Sequence, residues 1–340
     1  MFGEFSKSGS KKKEDLLANL TLDIDSIVSP HTQSERCHKD TKGYVKTTAN
    51  RVKQALIAEK GYCNQDFSVT TVNNLLNRLG YTLKKVRKNL PLKRVAETDA
   101  IFDNLAQARK KNLSGVFKIS IDAKDSVKVG LLSRKGYHRG KEHVEAADKD
   151  QHWDAVLIPF GILEMDTAQT TVVLGNSYQT SDFVVDALAT WYELRKEQLK
   201  EIHTLEIYLD NGPAVGGTRT QFLNRILEFS CITQLNIHLL YYPPYHSKYN
   251  PIERVWAAVE NYWNGTLLTS VEKVINTIQN VTWKGINIMA TCLDKQYQKG
   301  ITLSKQMMAL REEFLIRKID LQKWDIFIKP SFELGTLFLE

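Results

Sequence analysis

Three acidic side chains in this sequence stand where a strand or a helix would deliver them into chemistry. Asp122 follows the apolar run Val116, Phe117, Ile119, Ile121, and a polar turn comes straight after it. Asp210 closes the alternating run Leu205, Ile207, Leu209 just as the chain turns at Asn211 and Gly212. Glu253 falls in the first turn of a helix that starts beyond Pro243-Pro244, with Asn250 as N-cap, Pro251 at the first helical position and Glu253 at the third. Three carboxylates brought together cannot all stay ionised without a cation, because each raises the pKa of the others. Mg²⁺ or Mn²⁺ suits such a set, since it takes a few hard oxygen ligands, keeps waters and binds phosphate. Two such ions could activate a water or a 3′-hydroxyl and stabilise the leaving oxygen in an in-line attack on a phosphodiester. On this reading Asp122 and Asp210 hold the metals and Glu253 completes one site.

Each acid taken alone has a plainer reading. An aspartate before Asn-Gly is commonly turn chemistry, and Asn250-x-x-Glu253 spells a capping box. Asp125, Asp148, Asp150 and Glu260 are rival acids, Glu260 lying two turns beyond Glu253 on nearly the same face. The order of the set favours Asp122, Asp210 and Glu253: an acid on one strand, an acid on a later strand, and a third on the helix that follows. Asn211, His246, Lys248 and Asn250 are expected as their neighbours in the site.

The elements that would position these residues read as an α/β arrangement, a mixed sheet with helices on its faces. Strand 116–122 is expected to form a hairpin with 127–132. Further strands are expected at 155–165, 170–174, 204–210 and 237–242, with helices at 181–200 and 220–230 between them. The helix after Pro251 carries Ile252, Val255, Trp256, Val259 and Trp263 on one stripe. Residues 137–152 are dense in charge and read as a loop near the substrate. From residue 267 onward the pattern reads as helical, with Ser270 and Ser304 as N-caps.

The N-terminal part has a different character. Residues 1–35 read as a flexible or remnant tail. Between Arg36 and Arg94, Lys and Arg far outnumber Asp and Glu. Helix 47–60 buries Val52 and Leu56, and Ser68 caps a second helix that turns Val72, Leu75, Leu76 and Leu79 inward. That pair suits a helix-turn-helix, with Thr70, Thr71, Asn73, Asn74 and Arg78 facing DNA. An alternating strand or wing at 81–88 adds Lys84, Lys85, Arg87 and Lys88. The expected organisation is therefore a tail (1–35), a helix-turn-helix domain (36–95), a linker helix (96–112), a catalytic domain (113–264) and a helical C-terminal region (265–340).

Composition agrees with a polyanionic partner. The chain has 340 residues, 42% hydrophobic and 25% charged, with a net charge of +7. This excludes wholesale disorder and allows ample core. Cys37, Cys63, Cys231 and Cys292 are scattered without C-x-x-C pairing, so neither a zinc ribbon nor a disulfide framework is expected. No apolar run is long enough to span a bilayer. The expected setting is cytoplasmic and nucleoid-associated, with double-stranded DNA as partner, no membrane and no small-molecule cofactor.

The segments Ser120-Ile121-Asp122-Ala123-Lys124, Leu209-Asp210-Asn211-Gly212-Pro213 and Tyr242-Pro243-Pro244-Tyr245-His246-Ser247-Lys248-Tyr249-Asn250-Pro251-Ile252-Glu253 resemble bacterial insertion-sequence transposases. The family is the Rhodopirellula-type DDE transposases, related to the mariner group. The resemblance spans residues 42–317, including Asn77-Arg78-Leu79-Gly80-Tyr81 and Thr282-Trp283-Lys284-Gly285. It implies an RNase H-like catalytic core, divalent-metal strand cleavage and transfer at transposon ends, and a homodimer on DNA. It points to the same three acids. The alternatives are an inactive or domesticated DNA-binding descendant and a nuclease that cuts without joining.

Overall fold

The structure, a computed structural model, describes residues 12–29, 47–84, 95–137, 141–148 and 152–331. The chain divides into two compact units, Met1–Leu90 and Pro91–Glu340.

The first unit contains α1 (Lys13–Leu16), α2 (Leu20–Val28), α3 (Ala49–Lys60) and α4 (Val69–Arg78). The Thr48 and Ser68 side chains accept the N–H groups of Arg51 and Thr71 and so cap α3 and α4. Gly61 ends α3 in the left-handed region, at φ 74°. Val52, Leu56, Val72, Leu75 and Leu76 close around Phe67. Two expectations are corrected. Residues 13–28 are not a tail, because Leu20, Ile24 and Val28 recur at helical spacing and bury themselves in that same core. Leu79 does not turn inward but is exposed at the end of α4. The four wing residues that are described, 81–84, form no strand, and 85–88 lie outside the described residues.

The second unit opens with α5 (Thr98–Lys110), followed by β1 (Val116–Ala123), β2 (Val127–Val129), β3 (Ala155–Glu164), β4 (Thr170–Gly175), α6 (Ser181–Arg195) and β5 (Thr204–Asp210). Then come α7 (Thr220–Thr233), β6 (Asn236–Tyr242), α8 (Ile252–Trp263) and α9 (Val271–Gln279). The small pair β7 (Thr282–Trp283) and β8 (Ile286–Asn287) precedes β9 (Met289–Leu293), α10 (Lys305–Glu312), β10 (Leu315–Arg317) and β11 (Asp325–Ile328). Among the described residues the main sheet runs β10-β11-β6-β5-β1-β3-β4-β9. β1 is antiparallel to β3 and parallel to β5, and β5 is parallel to β6. Its central five strands, β4-β3-β1-β5-β6, make the RNase H-like mixed sheet that the family resemblance implied.

Three expectations change here. β1 and β2 do not form a hairpin; both pair with β3. Ala123 faces Phe160 and Val127 faces Leu157, so β1–β2 carries one residue more than the partner and bulges. The register breaks after Ala123, one residue beyond Asp122. The helix at 98–110 is not a linker, because Ile101, Leu105 and Ala108 bury against the sheet. Lys118 of β1 fastens its end, its Nζ donating to the carbonyls of Arg109 at 3.1 Å and Lys111 at 2.6 Å. The C-terminal region is not all helical either. Ser270 and Ser304 do cap α9 and α10, yet β9 pairs with β4 and β11 with β6, forming the outer strands of the sheet.

Candidate active site

Asp122 and Asp210 come together through strand register. β1 and β5 are parallel, with Lys118 level with Glu206 and Ser120 level with Tyr208. Continuing that register places Asp122 level with Asp210, on strands about 4.8 Å apart. Both belong to the face that carries Ser120, since side chains alternate along a strand. A cleft opens at these strand ends, lined by Asp122, Asp210, Phe160, Val184, Val215 and the exposed Gln179.

Glu253 arrives on α8, and the way it does so corrects one expectation. Asn250 is not a side-chain N-cap for α8. Its amide is wholly buried against β1, where Nδ2 donates to the Ile121 carbonyl at 2.9 Å and Oδ1 accepts from the Ser120 hydroxyl at 2.5 Å. The Ser120 oxygen in turn accepts the Ile252 N–H at 3.1 Å. The first turn of α8 is thus fastened two residues from Asp122. Apolar packing of Ile252, Val255, Trp256, Val259 and Trp263 holds the rest of the helix.

The electrostatics follow from this crowding. Burial, then the charges of Asp210 and Glu253, push the Asp122 carboxyl up to about 8. Burial and Glu253 push Asp210 up to about 6. Asp210 Oδ1 is buried and has no hydrogen-bond partner among the described residues. Among the described residues no three His, Cys, Asp or Glu side chains form a ready-made metal cage. A Mg²⁺ ion that keeps several waters needs only one or two carboxylates. The hard oxygen donors at the strand ends, one of them orphaned, fit such an ion.

The other expected residues distribute as follows. Asn211 is exposed, and its Oδ1 accepts the Gly217 N–H at 3.2 Å. His246 is buried, its Nδ1 against the Pro244 carbonyl at 2.7 Å and its ring against Phe102 and Tyr249. Lys248 is exposed beside the Tyr249 ring. Of the rival acids, Glu260 pairs with Lys124 at 2.7 Å and Arg134 at 3.8 Å. Asp125 adds to the charge that Asp122 feels. Asp148 is exposed, and Asp150 lies outside the described residues. In the first unit Thr70, Asn74 and Lys84 are exposed, while Thr71 and Asn73 are half-buried. Arg78 is exposed but bound to Glu14 at 2.7 Å. Lys85, Arg87 and Lys88 lie outside the described residues. Sequence reasoning missed Ser120; a serine two positions before a strand-end acid, on the same face, was the available signal.

A mixed sheet in this strand order, with acids at the ends of two adjacent parallel strands, is the frame of the RNase H-like polynucleotidyl transferases. The chain belongs to the Rhodopirellula transposase DDE domain family, whose model matches residues 23–330, and it is a transposase. No curated protein matches it. Among solved structures it is similar to the Mos1 transposase paired-end complex with left transposon end, at 14% identity over 80% of each chain and a TM-score of 0.41. It is also similar to the Mos1 mariner paired end complex with Mn, at 13% identity over 71% of this chain and 72% of that one, with a TM-score of 0.41. Among the described residues no helix is long and apolar enough to cross a membrane.

Proposed function

We propose that this transposase binds the ends of a bacterial insertion sequence as a homodimer and cleaves and joins DNA strands with Mg²⁺ or Mn²⁺ held by Asp122, Asp210 and Glu253. The observation that carries the reading is the buried, unpartnered Asp210 Oδ1 level with Asp122, both facing the charge of Glu253. Bound divalent ions would supply an activated water or 3′-hydroxyl and charge stabilisation on the leaving oxygen. The chain's own part is to hold three carboxylates at one sheet end. α3 and α4 serve as a helix-turn-helix, with Thr70, Thr71, Asn73, Asn74 and Arg78 toward the duplex. Lys84, Lys85, Arg87 and Lys88 contact phosphate. Such a protein works in the cytoplasm, on the nucleoid.

Strand cleavage and joining on DNA carrying the element's ends, with and without Mg²⁺, test the reading. Asp122→Ala, Asp210→Ala and Glu253→Ala each reduce cleavage to background while DNA binding survives. Retained cleavage in any of them overturns the assignment of that acid. Neutralising Lys84, Lys85, Arg87 and Lys88 lowers the salt slope of binding by about 3 to 4.

A further inference from the structure

We propose that Ser120, Asn250 and Gly161 are positioning residues that set where the Glu253 carboxylate stands relative to Asp122. The inference rests on the reading of those two acids as metal-holding groups.

The hold of α8 on the sheet has two parts of different kind. Val255, Trp256, Val259 and Trp263 supply apolar contact, which is non-directional. The wholly buried directional part lies in the first turn, whereas the Glu260 ion pair with Lys124 at 2.7 Å, two turns on, is half-exposed. In the first turn the Ser120 hydroxyl uses both its capacities, donating to Asn250 Oδ1 and accepting the Ile252 N–H, while Asn250 Nδ2 reaches the Ile121 carbonyl. Ser120 and Asn250 are both wholly buried, so no solvent competes for these bonds. The acids lie immediately beside them. Asp122 follows Ser120 by two residues on the same strand face, and Glu253 follows Ile252 by one. Both carboxylates are therefore referred to one hydroxyl oxygen.

Gly161 sets the third coordinate, the height of the helix above the sheet. It is the register partner of Asp122 on β3. A Cβ placed on it would meet Trp256 Cζ2 at 2.6 Å and Ile252 Cδ1 at 3.0 Å. The missing side chain is the notch into which the first turns of α8 descend. An alanine there lifts the helix without removing a hydrogen bond, whereas Ser120→Ala removes bonds without adding bulk. Two opposite perturbations thus bear on one distance.

The test uses the full chain, with Mn²⁺ alone as metal probe and end-bearing DNA as substrate, at a temperature where circular dichroism shows each variant folded. For both Ser120→Ala and Gly161→Ala, kcat for cleavage is expected to fall about 10- to 100-fold. KM for DNA stays unchanged and half-maximal rate needs more Mn²⁺. A merely structural role would lower the melting temperature and leave the Mn²⁺ dependence and kcat of the folded protein where they were; that result in both variants overturns the proposal. Should Ser120→Ala fail to fold, Gly161→Ala decides by the same readout. Asp122→Ala alongside separates the two layers. If it cleaves, the reading of the acids falls and the positioning role with it. If it is inactive while both other variants match wild type, only the positioning role falls.

Discussion

Two carboxylates of the same sheet with buried oxygens, Glu164 and Asp210, meet opposite treatment from the protein around them. Glu164, at the end of β3, has no exposed surface. Its oxygens accept from Arg195 at 2.7 and 3.1 Å, from Thr167 at 2.6 Å and from the Trp191 indole at 3.3 Å. Asp210, at the end of β5, has a buried oxygen with no partner among the described residues and faces other carboxylates in place of a cation. A buried oxygen is common to both, so that alone does not define the site. The difference is the source of the counter-charge: the fold supplies it to Glu164 and withholds it from Asp210. A withheld counter-charge costs stability unless something from outside delivers it.

The comparison can be broken by exchanging the two acids' fates. Asp210→Asn is expected to stop cleavage while leaving the metal-free protein as stable as before or more so. Glu164→Ala is expected to cost about 3 to 5 kcal/mol in chemical denaturation, because it strands the Arg195 guanidinium and the Trp191 N–H. Its folded fraction should still cleave. If Asp210→Asn destabilises the metal-free chain as strongly as Glu164→Ala does, the two carboxylates are alike and the contrast is void.

A smaller effect sharpens the same point. Mn²⁺ at a hundred times its dissociation constant should stabilise the wild-type chain by about 2.7 kcal/mol. A thermal melt reads this as a rise in melting temperature, and the rise should shrink in Asp122→Asn and Asp210→Asn but persist in Glu164→Gln. An equal rise in all four proteins would move the metal elsewhere.

A last test concerns a third treatment of charge, at a half-buried histidine. His238 lies between Asp325, 2.8 Å from Nε2, and Glu206, 3.9 Å from Nδ1. Burial alone would lower its pKa, but the hydrogen bonds and charges of those two acids raise it to about 9. The charged imidazole is favoured in the folded chain, so its contribution is complete below the unfolded value near 6.5. It is lost as pH rises through about 9. His238→Gln should flatten stability between pH 6.5 and 9, and an unflattened profile would assign the loss to other groups.

Much of this architecture was legible before any coordinates. Alternation delivered Asp122 and Asp210 to strand ends, and Ser68, Ser270 and Ser304 announced helix starts that they do cap. The helix of residues 20–28 was legible too, at Leu20, Ile24 and Val28, but its polar surroundings hid it. The outer strands were harder. β9 and β11 span five and four residues, too few for alternation to outweigh a helical reading. The supposed hairpin failed because β1 and β2 share β3, a partner whose pairing is set some 30 to 40 residues away.

Local patterns determined the secondary elements, the basic character of the N-terminal unit and which acids end strands, because those depend on side-chain period and turn chemistry within a few residues. Tertiary structure decided what the Asn250 side chain does. Its neighbours in sequence spell a helix cap, yet its amide bonds to Ser120 and Ile121, which only folding brings beside it. A buried hydrogen bond across 130 residues leaves no periodic trace, since its donor and acceptor are fitted to each other in space and not to the residues on either side.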